Sequence, residues 1–447
     1  MSRASQGINK AGMADSSSSS AAGAAFLSRD FRFYQLARVL VIIGAEAQAL
    51  AVAWQVYEMT HKAINLGYTG LALFLPGLIF ILPSGHVADR FDRRMVILVC
   101  YSLQVLCTLA LFLFAWTGLR NVWPIYGVLL LVGTGRSFSG PASSALIPHL
   151  VPKEHFVNAV TWGATMFQIA NISGPALGGI LFTLPLRSRL HGSSLVYAFT
   201  LVTLVCFLAL IGSLHVRPGR MEHRAISKDV ILAGIHYVKQ TPILLGSISL
   251  DLFAVLLGGA TALMPIFAQD ILHAGPRGLG MLRAAPAIGA LSVSMFLTWK
   301  PIRRGAGARM LICVALFGLT TVIFGLSKNI ALSLVTLFVV GASDMVSVVI
   351  RSSMLQLATP PEMRGRVSAV NSLFLGASNE FGEFESGLTA QWWGAVRAVV
   401  IGGIGSMMVT GLWAALFPAL RNADELTAEA LLNVEYQQSS QEVRQGP

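Results

Sequence analysis

The chain predicts an all-α polytopic membrane protein of about twelve transmembrane helices in two pseudo-symmetric six-helix bundles. Three observations carry that prediction. Of 447 residues, 54% are hydrophobic and only 12% charged, roughly half the charged share of a soluble chain. Apolar runs long enough to cross a bilayer, about 20 residues, recur from Leu36 to Phe417, with most charges between them. The two halves also repeat. With Val132–Glu154 set against Val340–Glu362 without a gap, identities fall at Val132/Val340, Gly133/Gly341, Ser139/Ser347, Ser144/Ser352, Pro152/Pro360 and Glu154/Glu362. The runs are read as helices because only helices and closed barrels satisfy their backbone in lipid. Barrel strands would alternate over segments of about ten residues, a pattern the sequence lacks.

Residues 1–30, with Ser16–Ser20 and an Ala-rich stretch, are expected to be a disordered cytoplasmic tail. They lack the basic, apolar and cleavage-site order of a signal peptide. The first bundle covers 31–214, with spans at 33–59, 64–84, 95–116, 122–149, 155–183 and 193–214. A polar connection, 215–240, leads to the second bundle, 241–418. Its spans are 241–270, 277–299, 310–327, 329–358, 362–390 and 392–418, and a polar tail, 419–447, follows. Short-loop cations concentrate on one side, including Arg90, Arg93, Arg94, Lys239, Lys300, Arg304 and Arg309. That bias places this side and both termini in the cytoplasm.

Taken in order, the spans carry embedded charge. Glu46 sits midway along the first, Arg136 in the fourth, Asp251 in the seventh and Asp344 in the tenth. A charge at mid-membrane costs several kcal/mol unless paired or hydrated. These groups therefore point to a shared polar cavity or to a structural ion pair. In the repeat Arg136 aligns with Asp344, so a twofold pseudo-axis would turn both toward one cavity. Glu46 and Asp344 are the leading candidates to carry a proton, since burial disfavours a charged carboxylate. Arg351 follows Asp344 by seven residues and shares its helix face. Arg283 in the eighth span is expected to snorkel toward the surface. Glu380 and Glu383 in the eleventh lie three apart on one face, either as a second coupling pair or at the outer surface.

Two further segments have local mechanical meaning. Between the second and third spans runs Gly85-His-Val-Ala-Asp89-Arg90-Phe-Asp-Arg93-Arg94. Gly85 permits close approach, and Asp89 suits a helix N-terminus, where the dipole favours an anion. Arg93 and Arg94 suit acids of neighbouring loops, for which Glu154 and Glu362 are candidates. The equivalent loop of the second half, Lys300-Pro-Ile-Arg-Arg-Gly305, keeps cations but no aspartate. In the fifth span, Gly174-Pro175-Ala-Leu-Gly178-Gly179 combines a helix-bending proline with glycines that admit a close helix neighbour.

These segments resemble those of the major-facilitator superfamily. The loop resembles its Gly-x-x-x-Asp-Arg-x-x-Arg-Arg signature. Arg136-Ser-Phe-Ser-Gly140 resembles the Arg-x-x-x-Gly of proton-coupled drug exporters. The fifth-span segment resembles the antiporter motif, with Ala170 in place of its leading glycine. The stretch Leu355–Phe374, with Ser378-Asn-Glu380 and Glu385-Ser-Gly387, is similar to an exporter branch that includes the enterobactin exporter and macrolide-efflux-like proteins. Over about residues 30–418 the resemblance implies proton-driven export of a small amphiphile, such as a siderophore or drug-like molecule, across the bacterial inner membrane. It also implies a cytoplasmic latch at the Gly85–Arg94 loop, and helices one, four, seven and ten around the cavity.

Import or lipid flipping on the same scaffold stays open, as does a membrane receptor or enzyme. Against the last, the chain has no His-Glu-x-x-His, no Gly-x-Ser-x-Gly and no phosphate loop, so an ion gradient is the expected energy source. Cys100, Cys107, Cys206 and Cys313 lie in apolar runs without ligand spacing. No metal and no cofactor are expected. The formal charge of +11 is spread over loops, which argues for a lipid bilayer and against nucleic acid. The expected partners are a small-molecule substrate and protons, with the chain acting as a monomer.

Overall fold

The computed structural model describes residues 24–184, 192–215, 228–302 and 304–424. No strand occurs among the described residues. Twelve helical spans occur among the described residues: α1 Arg29–Thr60, α2 Ala63–Ile79 with its continuation Ile81–Arg90, α3 Arg93–Thr117, α4 Trp123–Leu146, α5 Phe156–Phe182, α6 Ser193–Gly212, α7 Pro242–Leu257 continued by Ala260–Ile266, α8 Gly275–Trp299, α9 Ala306–Leu326, α10 Ile330–Leu357, α11 Pro361–Trp393 and α12 Ala395–Leu416. Eight of the helical spans are long and apolar enough to cross a membrane by themselves. Of the remaining spans, α2 is apolar but short, because it is broken at Phe80, and α4, α5 and α11 are diluted by Gly, Ser, Asn or charge.

Local chemistry sets the breaks. Asp92 caps α3, accepting from the Arg94 amide at 2.8 Å, and Asn329 caps α10, accepting from the Ala331 amide at 2.8 Å. α2 is interrupted at Phe80, between Pro76 and Pro83, each of which lacks the amide a continuous helix needs. α7 is interrupted at Gly258-Gly259, and its C-terminal end finishes in a π turn, Phe267–Ile271. Near the break the Ser406 hydroxyl donates to the Ala254 carbonyl at 2.8 Å, which also accepts from the Gly258 amide at 2.9 Å.

The helices pack twice in one scheme. In the first half α1 packs on α5 and α6, α3 on α4 and α6, and α2 on α4. In the second, α7 packs on α11 and α12, α9 on α10 and α12, and α8 on α10. Adding six to each number converts one list into the other, so the two bundles are related by pseudosymmetry. The halves meet through α2 with α11 and α5 with α8, and each of these pairs is also the symmetry mate of the other. Large apolar side chains on the outside of α3, α6, α9 and α12 are exposed, among them Val99, Leu106, Val202, Ile312 and Met408. They form the lipid-facing surface.

Three stretches differ from the sequence expectation. The connection expected at 215–240 contains a helix, Lys228–Gln240. Its Tyr237 hydroxyl donates to the Ala358 carbonyl at 2.8 Å, and Val238 is buried in the second-half core. Residues 24–30, expected in the tail, are packed: Ala25 is buried and its amide donates to Asn158 at 3.2 Å. Ala419, Leu420 and Ala423, expected in the other tail, are buried too. In each case a few small or apolar side chains among polar ones suffice to dock the segment. Residues 1–23 and 425–447 lie outside the described residues.

Candidate functional site

Between the two bundles lies a cavity of about 610 Å³. From the first half it is lined by Glu46 of α1, Arg136 of α4, and Asn171 and Pro175 of α5. From the second half come Arg283 of α8, Asp344 of α10, and Glu380 and Glu383 of α11. Four carboxylates against two guanidiniums leave the lining with an excess of acid. Among the described residues no ion pair at contact distance joins these groups; the one such pair is elsewhere. They interact at longer range and across the halves. Glu380 feels Arg136 of the opposite bundle as well as Glu383, and Glu383 feels Arg283 and Glu46. Phe317 and Phe324 supply aromatic wall. The site is thus amphipathic, with acids and arginines held apart rather than neutralised pairwise.

Asp251 and Arg351 do not line this cavity. They pair with each other, Asp251 at 4% and Arg351 at 2% exposure, between α7 and α10 inside the second bundle. The expected one-charge-per-helix ring therefore fails at α7. The face of α7 that carries Asp251 packs on α10 rather than on the bundle axis, and Arg351 is partnered by that acid instead of standing free beneath Asp344. Arg283 departs in the opposite sense: it faces the cavity and does not snorkel. Glu380 and Glu383 lie at the cavity rather than at the outer surface.

The glycines of the α5 segment have divided tasks. A side-chain carbon on Gly174 would overlap the Glu46 side chain, and one on Gly178 would lie 3.0 Å from the Ala47 Cα. Both glycines thus seat α5 against α1 in the same bundle. Gly179 faces the other bundle, where such a carbon would lie 2.8 Å from the Pro276 carbonyl oxygen and 3.1 Å from the Gly280 Cα. On the symmetry-related side, Gly387 of α11 meets Gly67 of α2 with a corresponding 2.9 Å to the Gly67 nitrogen. Two polar contacts reinforce these crossings at the same end of the molecule. The Tyr57 hydroxyl donates to the Asp270 carboxylate, joining α1 to the π turn of α7. Arg277 Nε donates to the Thr183 hydroxyl at 2.5 Å, joining α8 to the end of α5. The sequence does not predict this set of contacts. The sequence signal was slight: Tyr57 near a span end, a lone Asp270 and a loop arginine.

At the opposite end stands the Gly85–Arg94 loop. Gly85 is buried and Arg90 exposed, and the Asp89 side chain lies outside the described residues. Arg93 meets the His149 ring nitrogen at 2.5 Å, and Arg94 donates to the Gly212 carbonyl at the end of α6. These contacts stay within the first bundle. Glu154, in the turn before α5, and Glu362, in the first turn of α11, are exposed.

Comparison with known proteins agrees with this architecture. The family model described as a transmembrane secretion effector matches residues 20–447. The enterobactin exporter of Shigella dysenteriae serotype 1 (strain Sd197) is 28% identical over 384 residues, covering 85% of this chain and 86% of that one. The enterobactin exporter of Citrobacter koseri is 27% identical over the same shares. Among solved structures, a bacterial homolog of the human lysosomal transporter Spinster, inward-facing and unoccupied, superposes with a TM-score of 0.69 at 13% identity, over 91% of this chain and 97% of that one. A bacterial homologue of the iron transporter ferroportin, also inward-facing, gives 0.64 at 16% identity, over 87% and 99%. At these identities the structural likeness establishes the fold alone.

Proposed function

The chain belongs to the transmembrane secretion effector family, a major-facilitator exporter branch, and from that membership we propose that it exports a small amphiphilic molecule from the cytoplasm by alternating access, as a proton antiporter. The observation that carries the reading is the cavity between two matched bundles, with unpaired carboxylates from both halves. An isolated acid in a low-dielectric cavity is stable chiefly when it can exchange a proton or a cationic partner. Glu46 and Asp344 are assigned as the leading proton carriers, and Glu380 and Glu383 as a second pair that shares one proton. Arg136 and Arg283 are the fixed positive charges that set how readily those acids ionise.

The cation-rich loops support a cytoplasmic position for both termini in a bacterial cell. The seal formed by Tyr57–Asp270, Thr183–Arg277 and the glycine crossings then lies on the outer face, and the described state is inward-facing. Opening it requires the two bundles to rock about α2/α11 and α5/α8, with the α5 proline–glycine segment as pivot. The Gly85–Arg94 loop is assigned as the cytoplasmic latch that engages once the outer face opens, with Glu154 and Glu362 available to it. The named relatives favour a siderophore as substrate. The surplus of carboxylates favours a drug-like weak base, so both classes belong in the test.

Purified protein in vesicles with an imposed pH gradient, supplied in turn with a catecholate siderophore and cationic hydrophobic drugs, is the deciding experiment. Accumulation against the substrate gradient that collapses with the pH gradient is expected. Gradient-independent movement of either class overturns the antiport reading, and movement of phospholipid instead overturns the choice of substrate.

A further inference from the structure

A second pocket lies away from the cavity, at the elbow between α8 and α9. Its volume is about 420 Å³, and its lining includes Phe296, Trp299, Lys300, Pro301, Ile302 and Arg309. The sequence builds the elbow in three steps. α8 stops at Trp299 because Pro301 cannot continue it. Gly305 then turns through a positive φ of 64°, and α9 restarts at Ala306. The open amides at the start of α9 are satisfied by the chain's own C-terminal segment. Asp424 accepts from the Gly305 amide at 2.6 Å, and the Ala423 carbonyl accepts from Gly307 at 2.9 Å. The helix start is therefore already occupied by an acid.

What remains open is a mixed surface at the level where a membrane span ends. Trp299 is 86% exposed and Phe296 59% exposed, both on a helix that spans the bilayer. Beside them stand the exposed cations Lys300 and Arg309. Among the described residues neither has a carboxylate at ion-pair distance. An aromatic ring at a span end sits at headgroup level, and cations in a pocket between spans suit the phosphate of an acidic lipid. A zwitterionic lipid would bring its own cation to the same place, and a water-soluble anion would have no use for the apolar wall.

We infer that the α8–α9 elbow is a binding site for an anionic phospholipid, its phosphate held by Lys300 and Arg309 and an acyl chain laid along Phe296 and Trp299. Neither the transport reaction nor its direction is needed for this inference. Each cation beside an acidic surface contributes about 1 kcal/mol, or roughly fivefold in affinity.

The test is native mass spectrometry of the full chain titrated with phosphatidylglycerol, with phosphatidylcholine, and with inorganic phosphate. Expected are phosphatidylglycerol adducts well above phosphatidylcholine, unaffected by phosphate. Lys300→Gln with Arg309→Gln should lower those adducts by at least tenfold. The charge-conserving Lys300→Arg with Arg309→Lys should keep them, as should Lys328→Gln, an exposed cation at the opposite end. Trp299→Phe, which leaves both charges in place, should lose the fluorescence quenched by a brominated phosphatidylglycerol chain. Equal adducts of both lipids, competition by phosphate, or unchanged adducts in the double glutamine variant would each overturn the assignment. If that variant does not fold, undiminished quenching in Trp299→Phe overturns it alone.

Discussion

The two bundles of this chain are copies in packing but not in charge. Gly133 of α4 and Gly341 of α10 are matched in the internal repeat and do one task. A side chain on Gly133 would overlap the Leu73 carbonyl of α2, and one on Gly341 the Pro286 carbonyl of α8. Three residues further on, the copies part: Arg136 stands where the second bundle has Asp344, and both line the cavity. Asp251 and Arg351 neutralise each other inside the second bundle, whereas Glu46 and Arg136 of the first remain at the cavity. A duplicated fold retains the positions where backbones touch, since two helices cannot separate without opening a void. Charges facing an aqueous space are under no such geometric constraint, and they can diverge to serve a vectorial task.

The largest expected effect breaks the shared feature. Gly133→Leu and Gly341→Leu should each abolish folded protein, because a side chain meeting backbone at a helix crossing cannot be relieved by a rotamer change. Fluorescence-detected size exclusion reads this directly. A folded peak from one variant and none from the other would break the equivalence of the halves. Next comes the buried pair. Arg351→Ala leaves Asp251 as an uncompensated buried charge and should cost about 3–5 kcal/mol, seen as a collapsed melting temperature. Arg351→Met combined with Asp251→Leu should recover most of it, since an apolar pair of similar volume avoids the desolvation. Failure of the double variant to recover would give the pair a role beyond neutralisation.

Arg136→Ala sharpens the contrast from the other side. Arg136 has no contact partner among the described acids, so the protein should fold and melt almost as before, while gradient-driven accumulation is lost. Glu46→Gln should likewise fold and lose the dependence of exchange on pH. Unaltered coupling in Glu46→Gln would pass the proton to Asp344 or Glu380. A fall in stability for Arg136→Ala as large as that of Arg351→Ala would mean that both arginines are structural.

These contrasts also mark what one sequence can reveal. The twelve spans were legible because each is an apolar run near bilayer length, and the bundle repeat was legible at Gly133/Gly341, where sterics hold a residue in place. Glu46, Arg136 and Asp344 stood out because charge is rare in such runs, and the structure brings them to one cavity with Glu380 and Glu383. Asp251 and Arg351 carried the same signal for a different reason, since composition does not say whether a buried charge faces water or another charge. Arg283 was misread because its distance from the span end suggested snorkelling, while its direction depends on how α8 is rotated against α10. The contacts between the bundles at the Tyr57 end were invisible: Tyr57, Thr183, Asp270 and Arg277 are ordinary alone and acquire meaning only when helix ends from opposite halves meet.

The smallest effect concerns that seal, and it tests whether symmetry extends to the closure. The α1–α7 contact is a part-buried phenol on a carboxylate, charge-assisted and worth about 1.5–3 kcal/mol; the α5–α8 contact is an exposed guanidinium on a hydroxyl, worth about 0.5–1 kcal/mol. Tyr57→Phe removes one and keeps the ring in place, and Thr183→Val removes the other at nearly constant volume. Tyr57→Phe should shift the equilibrium between inward- and outward-facing forms by roughly 10- to 100-fold toward the outward form, and Thr183→Val by roughly 2- to 5-fold. Spin-label distances across the outer ends of α1 and α7 read that shift. Should the two shifts multiply in combination, the crossings are independent clasps on one gate. If Tyr57→Phe alone opens the outer face, the closure is hinged on α5/α8, and the interrupted α7 with its π turn is the part that moves.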